Sequence, residues 1–358
     1  GGKYYFGTTP SQYTSVRLGE FPNPNVGWEK AKKLNLGADL SFFNQLNISV
    51  DYFKENREGI FLQRKSIPMY VGLSTKPWVN IGKMRNSGID ASLEYHQPLG
   101  KDLHLTVRGN FTYARNRIMD QDEPDYAYTY MNHSGQMQWQ KFGLVAAGLF
   151  QDQEDIDSWA KQSFGEVKPG DIKYLDLNGD GIVDNYDTKP IGYSDIPEIV
   201  YGFGFSLQWK AFDLSAFFQG VAHVSFSTLT DQTQAFVGRN LKESSVFADL
   251  YGNTWTPENP GVKYPRMTTG AIDNNNQLST FWMANGRYMR LKNLEIGYTL
   301  PKAWTSKAGI QSVRIYAQGQ NLLTFDRLGD VDMDPEIKNG DGSWFPVQRV
   351  INIGLNMT

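Results

Sequence analysis

The residues of this chain best spaced for chemistry lie in one twelve-residue run, Asp176-Leu-Asn-Gly-Asp-Gly-Ile-Val-Asp-Asn-Tyr-Asp187. Asp176, Asn178 and Asp180 place side-chain oxygens at alternate positions. Gly181 supplies a tight turn, Ile182 a backbone carbonyl, Asp184 a direct or water-bridged ligand, and Asp187 closes the run. Oxygen donors at this spacing suit a hard divalent cation, and the expected cofactor is a structural Ca2+. Asp at the last position reaches less far than Glu and weakens bidentate binding. No helical pattern flanks the run, so the ion would pin a loop rather than work a sensor hand. The competing reading is an acidic turn rich in glycine that needs no metal.

A second set, Trp139, Trp159, Trp255, Trp282 and Trp344, falls in long connecting segments. Their faces could stack on sugar rings and form a substrate site. They could equally pack those segments together, and the second reading is favoured because large loops need cores of their own. Covalent chemistry finds less support. The four histidines (His96, His104, His133, His223) have no metal spacing, and there is no Ser-His-Asp set, P-loop or dinucleotide fingerprint in its proper context. Nothing singles out a pair of carboxylates, so no enzymatic activity is expected. With no cysteine there is neither a disulfide framework nor a thiolate site, and a net charge of −3 argues against nucleic acid as a partner.

The elements that must hold these residues are strands. In Ile199–Phe226, Tyr201, Phe203, Phe205, Leu207 and Trp209 alternate with Gly202, Gly204, Ser206 and Gln208. After a turn at 210–213 the alternation resumes with Leu214, Ala216 and Phe218. Two runs of period two joined by a polar turn make a hairpin. Each run is long enough to cross a bilayer at a tilt, with apolar side chains toward lipid and small or polar ones toward a wet lumen. Mean hydropathy is −0.48, and no apolar run is long enough for a transmembrane helix. Alternating strands average out in such a measure.

The same pattern recurs along the 358 residues. Residues 1–30 read as a loop. Strand-bearing segments are expected at about 31–57, 84–115, 197–226, 287–324 and 347–358, nine strands in all. Long connections at about 58–83, 116–197, 227–286 and 325–346 alternate with short ones. This is the asymmetry of outer-membrane barrels, whose long loops are extracellular. The fold class expected is all-β, a transmembrane antiparallel β-barrel with its C-terminus on the periplasmic side. Nine is an odd number, and open edges are not tolerated in lipid. The chain therefore reads as the C-terminal part of a larger barrel. No signal peptide opens it, which fits either a mature chain or a piece starting mid-protein, the second being favoured.

Seven segments, in order, resemble those of the SusC-like (SusC/RagA) TonB-dependent outer-membrane transporters of Bacteroidetes. They are Asn23-Pro-Asn-Val-Gly-Trp-Glu29, Asn80-Ile-Gly-Lys-Met-Arg-Asn-Ser-Gly-Ile-Asp90, the stretch from Gly170 to Gly181, Phe212-Asp-Leu-Ser-Ala-Phe-Phe-Gln-Gly220, the stretch from Tyr288 to Pro301, Gly319-Gln-Asn-Leu-Leu-Thr-Phe325 and Asp334-Pro-Glu336. The resemblance implies a barrel of about 22 strands with an N-terminal plug. It also implies a TonB-interacting segment and a SusD-like surface lipoprotein as lid, with an oligosaccharide, or in some relatives a peptide, as cargo. Plug and TonB segment have no counterpart in these residues. A passive porin or adhesin-like barrel, and a soluble secreted carbohydrate-binding β protein, are the other readings.

Overall fold

The computed structural model describes residues 3–6, 11–14, 22–73, 75–229, 250–268, 270, 272–329, 333–337 and 345–358. Nine long strands run in sequence order across one sheet: β1 (Lys30–Phe42), β2 (Leu46–Gln63), β3 (Trp78–Pro98), β4 (Leu103–Asp120), β5 (Ile199–Trp209), β6 (Phe212–Ala222), β7 (Met283–Thr299), β8 (Val313–Arg327) and β9 (Val350–Met357). The short Ser225–Ser227 adds to β7 as a tenth strand of the sheet. Each strand pairs with its neighbours in sequence, and from β4 to β9 the pairing is antiparallel throughout.

The short turns at 43–45, 99–102 and 210–211, with the moderate 300–312, alternate with the long connections 64–77, 121–198, 223–282 and 328–349. In a meander this puts the two kinds at opposite strand ends. Strands β2, β3, β4 and β7 extend four to six residues beyond the bounds expected from alternation. The added residues find other partners: Ile118 of β4 exchanges backbone hydrogen bonds with Gly135 and Gln136, and Met283–Asn285 of β7 pairs with Ser225–Ser227. The expected loop at 1–30 also contains strand: Lys3–Phe6 pairs antiparallel with Ser11–Thr14.

The faces follow the alternation. Leu36, Leu40, Phe42, Phe203, Phe205, Ile296, Ile315 and Ile353 are all exposed. The opposite face of β5 and β6 carries Gly202 and Gly204, where an added Cβ would strike the Phe217 ring at 2.7 and 2.9 Å. Glycine there makes room for an inward aromatic.

By contacts the chain forms two units. The first is Gly1–Leu34, Lys54–Ser87 and Asn116–Gln138. Asp122 is its hub, taking hydrogen bonds from Arg64 Nε, the Lys65 and Ser66 N–H groups and the Ser66 hydroxyl. Asn80 donates to the carbonyls of both Gly27 and Gly59.

The second unit is Asn35–Phe53, Gly88–Arg115 and Trp139–Thr358. Its core lies in the long connections rather than the sheet: Leu144, Leu149, Ile172, Tyr174, Val183, Leu250, Trp255, Tyr264 and Trp282 form one buried cluster. An outward strand face left for lipid cannot supply a core, so the apolar residues of the loops make one.

Candidate functional site

The β4–β5 and β6–β7 connections build one module. Polar groups stitch the two segments where the apolar cluster ends. The Asp171 carboxylate is fully buried and meets Arg266, the Asn275 amide and the Lys168 N–H. Asn275 Oδ1 accepts the Ile172 N–H at 2.8 Å, and Asn274 Nδ2 donates to the Ile172 carbonyl at 2.7 Å. The Tyr174 hydroxyl donates to the Asn274 carbonyl at 2.9 Å. Burial pushes the Tyr174 phenol far above its ordinary range, so it stays a neutral donor.

Three of the five candidate substrate tryptophans, Trp159, Trp255 and Trp282, are parts of this module. Trp282 is 2% exposed and donates its indole N–H to the Asn275 carbonyl; Trp255 is 8% exposed and lies against Gly170. A ring enclosed on both faces has none left for a sugar, so these two serve packing. Trp159 is half-buried, donates to the Tyr174 carbonyl at 2.7 Å and carries the Lys173 ammonium 4.5 Å from its ring centroid. Trp139 stands apart, 58% exposed with a φ of +60°. Trp344 lies outside the described residues.

The Asp176–Asp187 run is a corner of the same module. Gly179 and Gly181 take φ of +79° and +84°, backbone that glycine adopts without strain. Asp176 Oδ1 accepts the Gly179 N–H at 2.7 Å and Oδ2 the Gly181 N–H at 2.8 Å. Asn178 Oδ1 accepts from Asp180, Asp180 Oδ1 from Ile182, and Asp184 Oδ1 from Tyr186. Asp187 is fully buried; its oxygens accept from Leu177, Asn178 and Asp184. The loop is thus closed by its own amides. Among the described residues no three of His, Cys, Asp and Glu converge as an ion cage. Each oxygen that takes one N–H keeps a second acceptor site, so the donor set suits a hard cation while the side-chain directions are those of an amide-closed turn.

Where this module joins the sheet, Glu198 is buried and bridges two strands. Arg115, on β4, donates through Nη2 at 2.6 Å, and His223, just past β6, lies 3.0 Å away through Nδ1. His223 adopts a φ of +53° and stacks on Tyr193 at 4.7 Å. The alternation places His223 on the polar face of an expected strand over 197–226, but the strands run Ile199–Trp209 and Phe212–Ala222, so Glu198 and His223 fall just outside them and meet at this junction.

The wall below carries charge on its polar face. Arg314 on β8 reaches both Asp213 on β6 and Glu295 on β7, at 2.6 Å to the latter. Glu94 pairs with Arg108 and His96. A cavity of about 480 Å³ opens beside these, lined by Asp39, Ser41, Asn47, Ser49, Ser92 and Arg108 among others. Charged and small polar side chains share this lining with Leu40, Ile48 and Leu93, a mixture that suits a wetted wall.

Comparison with known proteins agrees with this architecture. The family model "TonB dependent receptor-like, beta-barrel" matches residues 2–322. TonB-dependent receptor P3 of Formosa agariphila is 30% identical over 97% of this chain and 36% of its own length. TonB-dependent receptor SusC of Bacteroides thetaiotaomicron is 24% identical over 99% of this chain and 34% of its own. The chain therefore spans about a third of these relatives. Among solved structures, that of the RagAB peptide transporter superposes with a TM-score of 0.70 at 22% identity, covering 99% of this chain and 38% of that one. An open run of antiparallel strands, apolar outside and polar inside, with a family match over most of its length, leads to one conclusion: the chain belongs to the SusC-like TonB-dependent receptors, a family of outer-membrane β-barrels.

Proposed function

We propose that this chain forms part of the wall and mouth of an importer that moves a nutrient oligomer across the bacterial outer membrane, with energy delivered through TonB. The observation that carries the reading is the meander itself. Its strands expose apolar residues on one face and present Arg314, Asp213 and Glu295 on the other. Its β4–β5 and β6–β7 connections pack together into a folded module. A plug and further strands on other parts of the protein would close the barrel, since open edges in lipid are too costly. A SusD-like lipoprotein would cover the mouth, and the C-terminal strand would end on the periplasmic side.

The cargo proposed is an oligosaccharide, with a peptide as the alternative. Trp139 keeps an exposed ring for a sugar, whereas Trp255 and Trp282 do not. The similar solved structure of the RagAB peptide transporter supports the alternative. Uptake of labelled oligosaccharide and peptide pools by cells with and without the gene tests both. Loss of uptake of one class identifies the cargo, and unchanged uptake of both overturns the reading.

We also propose that Ca2+ binds the Asp176–Asp187 turn in a structural role, on the strength of its oxygen spacing and its glycines. Asp176, Asn178, Asp180 and Asp184 would supply side-chain oxygens, Ile182 its carbonyl, and Asp187 the closing carboxylate.

A further inference from the structure

The last long connection joins β8 to β9, and the alternation places it outside the cell as a loop. Its described part is instead fastened to the polar face of β7. Arg290 stands opposite Gln219 in the β6–β7 ladder, and residues directly opposite share a face. Its guanidinium donates to Asp334 Oδ1 at 2.7 Å, Glu336 Oε2 at 2.7 Å and the Thr324 hydroxyl at 3.0 Å. Lys292 donates to both oxygens of Glu336, at 2.9 and 3.1 Å. Asp334 Oδ2 accepts the Val347 N–H at 2.9 Å, which draws in the far end of the connection. The side chains of Arg290 and Asp334 are only 3% and 7% exposed.

The strands are deformed at this level, and β7 departs from the β8 ladder a second time between Asn285 and Tyr288. Against β6, β7 carries Lys292 as an extra residue between Leu291 and Asn293. Against β7, β8 carries both Asn321 and Leu322 where Lys292 stands alone. Asn321 sits at a φ of +53°. Two of these inserted residues hold the connection: Lys292 binds Glu336, and Asn321 Nδ2 donates to the Gln348 carbonyl at 2.9 Å. Bulges re-aim side chains that a regular ladder would place elsewhere. Here adjacent strands each depart from the ladder and aim a donor at the same connection.

We propose that the segment Met333–Ile337 is a fixed constriction on the lumen side of the wall, held by a clamp of Arg290, Lys292 and Asn321. On this view it narrows the substrate path permanently and takes no part in opening and closing the mouth. Two cations balance two carboxylates, with Arg290 and Asp334 buried and Lys292 and Glu336 half-buried, and removing one partner leaves the buried charges less compensated. A segment so held does not swing. The inference rests on the transport reading for its meaning as a substrate path; the clamp itself does not.

Amide hydrogen exchange on the intact, detergent-purified transporter tests it. The Glu336, Ile337 and Val347 amides all donate within the clamp and are expected to exchange slowly in the wild-type protein. Lys292→Met should speed that exchange roughly tenfold or more, Lys292→Arg should preserve it, and heat-modifiability on gels should show the barrel intact in both. Lys292→Met is also expected to widen the size range of oligomers taken up. Fast exchange of these amides in the wild-type protein overturns the proposal without any variant. So does equal protection in wild type and Lys292→Met. Protected amides in a protein that imports nothing would instead overturn the transport reading and leave the clamp standing.

Discussion

Asp171 and Arg266, ninety-five residues apart, form the buried ion pair that joins two separate connections into one body. Arg266 Nη2 donates to Asp171 Oδ2 at 3.1 Å. Nε lies 2.8 Å from Oδ1 but off the bonding direction, and Asn275 Nδ2 serves that oxygen instead. These two connections are therefore a folded module with a polar keystone.

Breaking the keystone should loosen the module and spare the wall. Arg266→Met leaves the Asp171 carboxylate buried and uncompensated, which costs about 3–5 kcal/mol. Limited proteolysis should cut between 139 and 282 in the variant while heat-modifiability of the barrel is retained. Equal protease resistance in variant and wild type would show that the pair is dispensable.

The tryptophans should divide by burial. Trp282→Ala empties a packed site and should destabilise the module by about 3–5 kcal/mol. Trp139→Ala removes an exposed ring and should leave stability unchanged while weakening capture of an oligosaccharide. Thermal unfolding and ligand binding on both variants separate the roles. If Trp282→Ala were as stable as the parent, the apolar cluster would not be the source of the module's order.

The module should lose stability in acid. Burial by itself would raise the Asp155 carboxyl. Hydrogen bonds from the Lys173 ammonium and the Gln151 N–H outweigh it and hold the carboxyl below its usual range. A depressed folded-state value contributes stability that is fully present above the unfolded value of about 3.9 and is lost as pH falls through the folded one. Protease resistance of the module measured from pH 6 downward should fall in that window, and Asp155→Asn should flatten this part of the profile. An unchanged profile in the variant would assign the acid limb to other groups.

Calcium should raise the melting temperature of the module. At a hundredfold excess over Kd a ligand specific to the folded state adds about 2.7 kcal/mol. Asp176→Asn together with Asp180→Asn should abolish the effect. A melting curve indifferent to both calcium and chelator would mean that the amide-closed turn stands without an ion.

The wall was legible in the chain because its period survives over long runs. Ile199–Trp209 and Phe212–Ala222 pair without a register break, from Ile199 opposite Ala222 to Trp209 opposite Phe212. Every second residue therefore keeps its face. In β7 the extra Lys292 shifts the phase in mid-strand, so the inward direction of Arg290 could not be read from the regular alternation after it. The loop module was least legible. Its contacts, such as Tyr174 to Asn274 and Leu144 to Ser279, join residues a hundred or more apart and leave no periodic trace. The acidic turn was visible as spacing, but its oxygens take backbone amides, a choice that spacing does not reveal.

The wall itself is open to one direct measurement. The chain has no cysteine, so single substitutions along β5 report one position at a time. Phe203→Cys, Phe205→Cys and Leu207→Cys would be compared with Ser206→Cys and Gln208→Cys in native outer membranes. A membrane-dissolved maleimide should label the first three, and a water-soluble one the last two. Labelling of all five by the water-soluble reagent, or of none of the first three by the lipophilic one, would contradict a lipid-facing strand and with it the transmembrane wall.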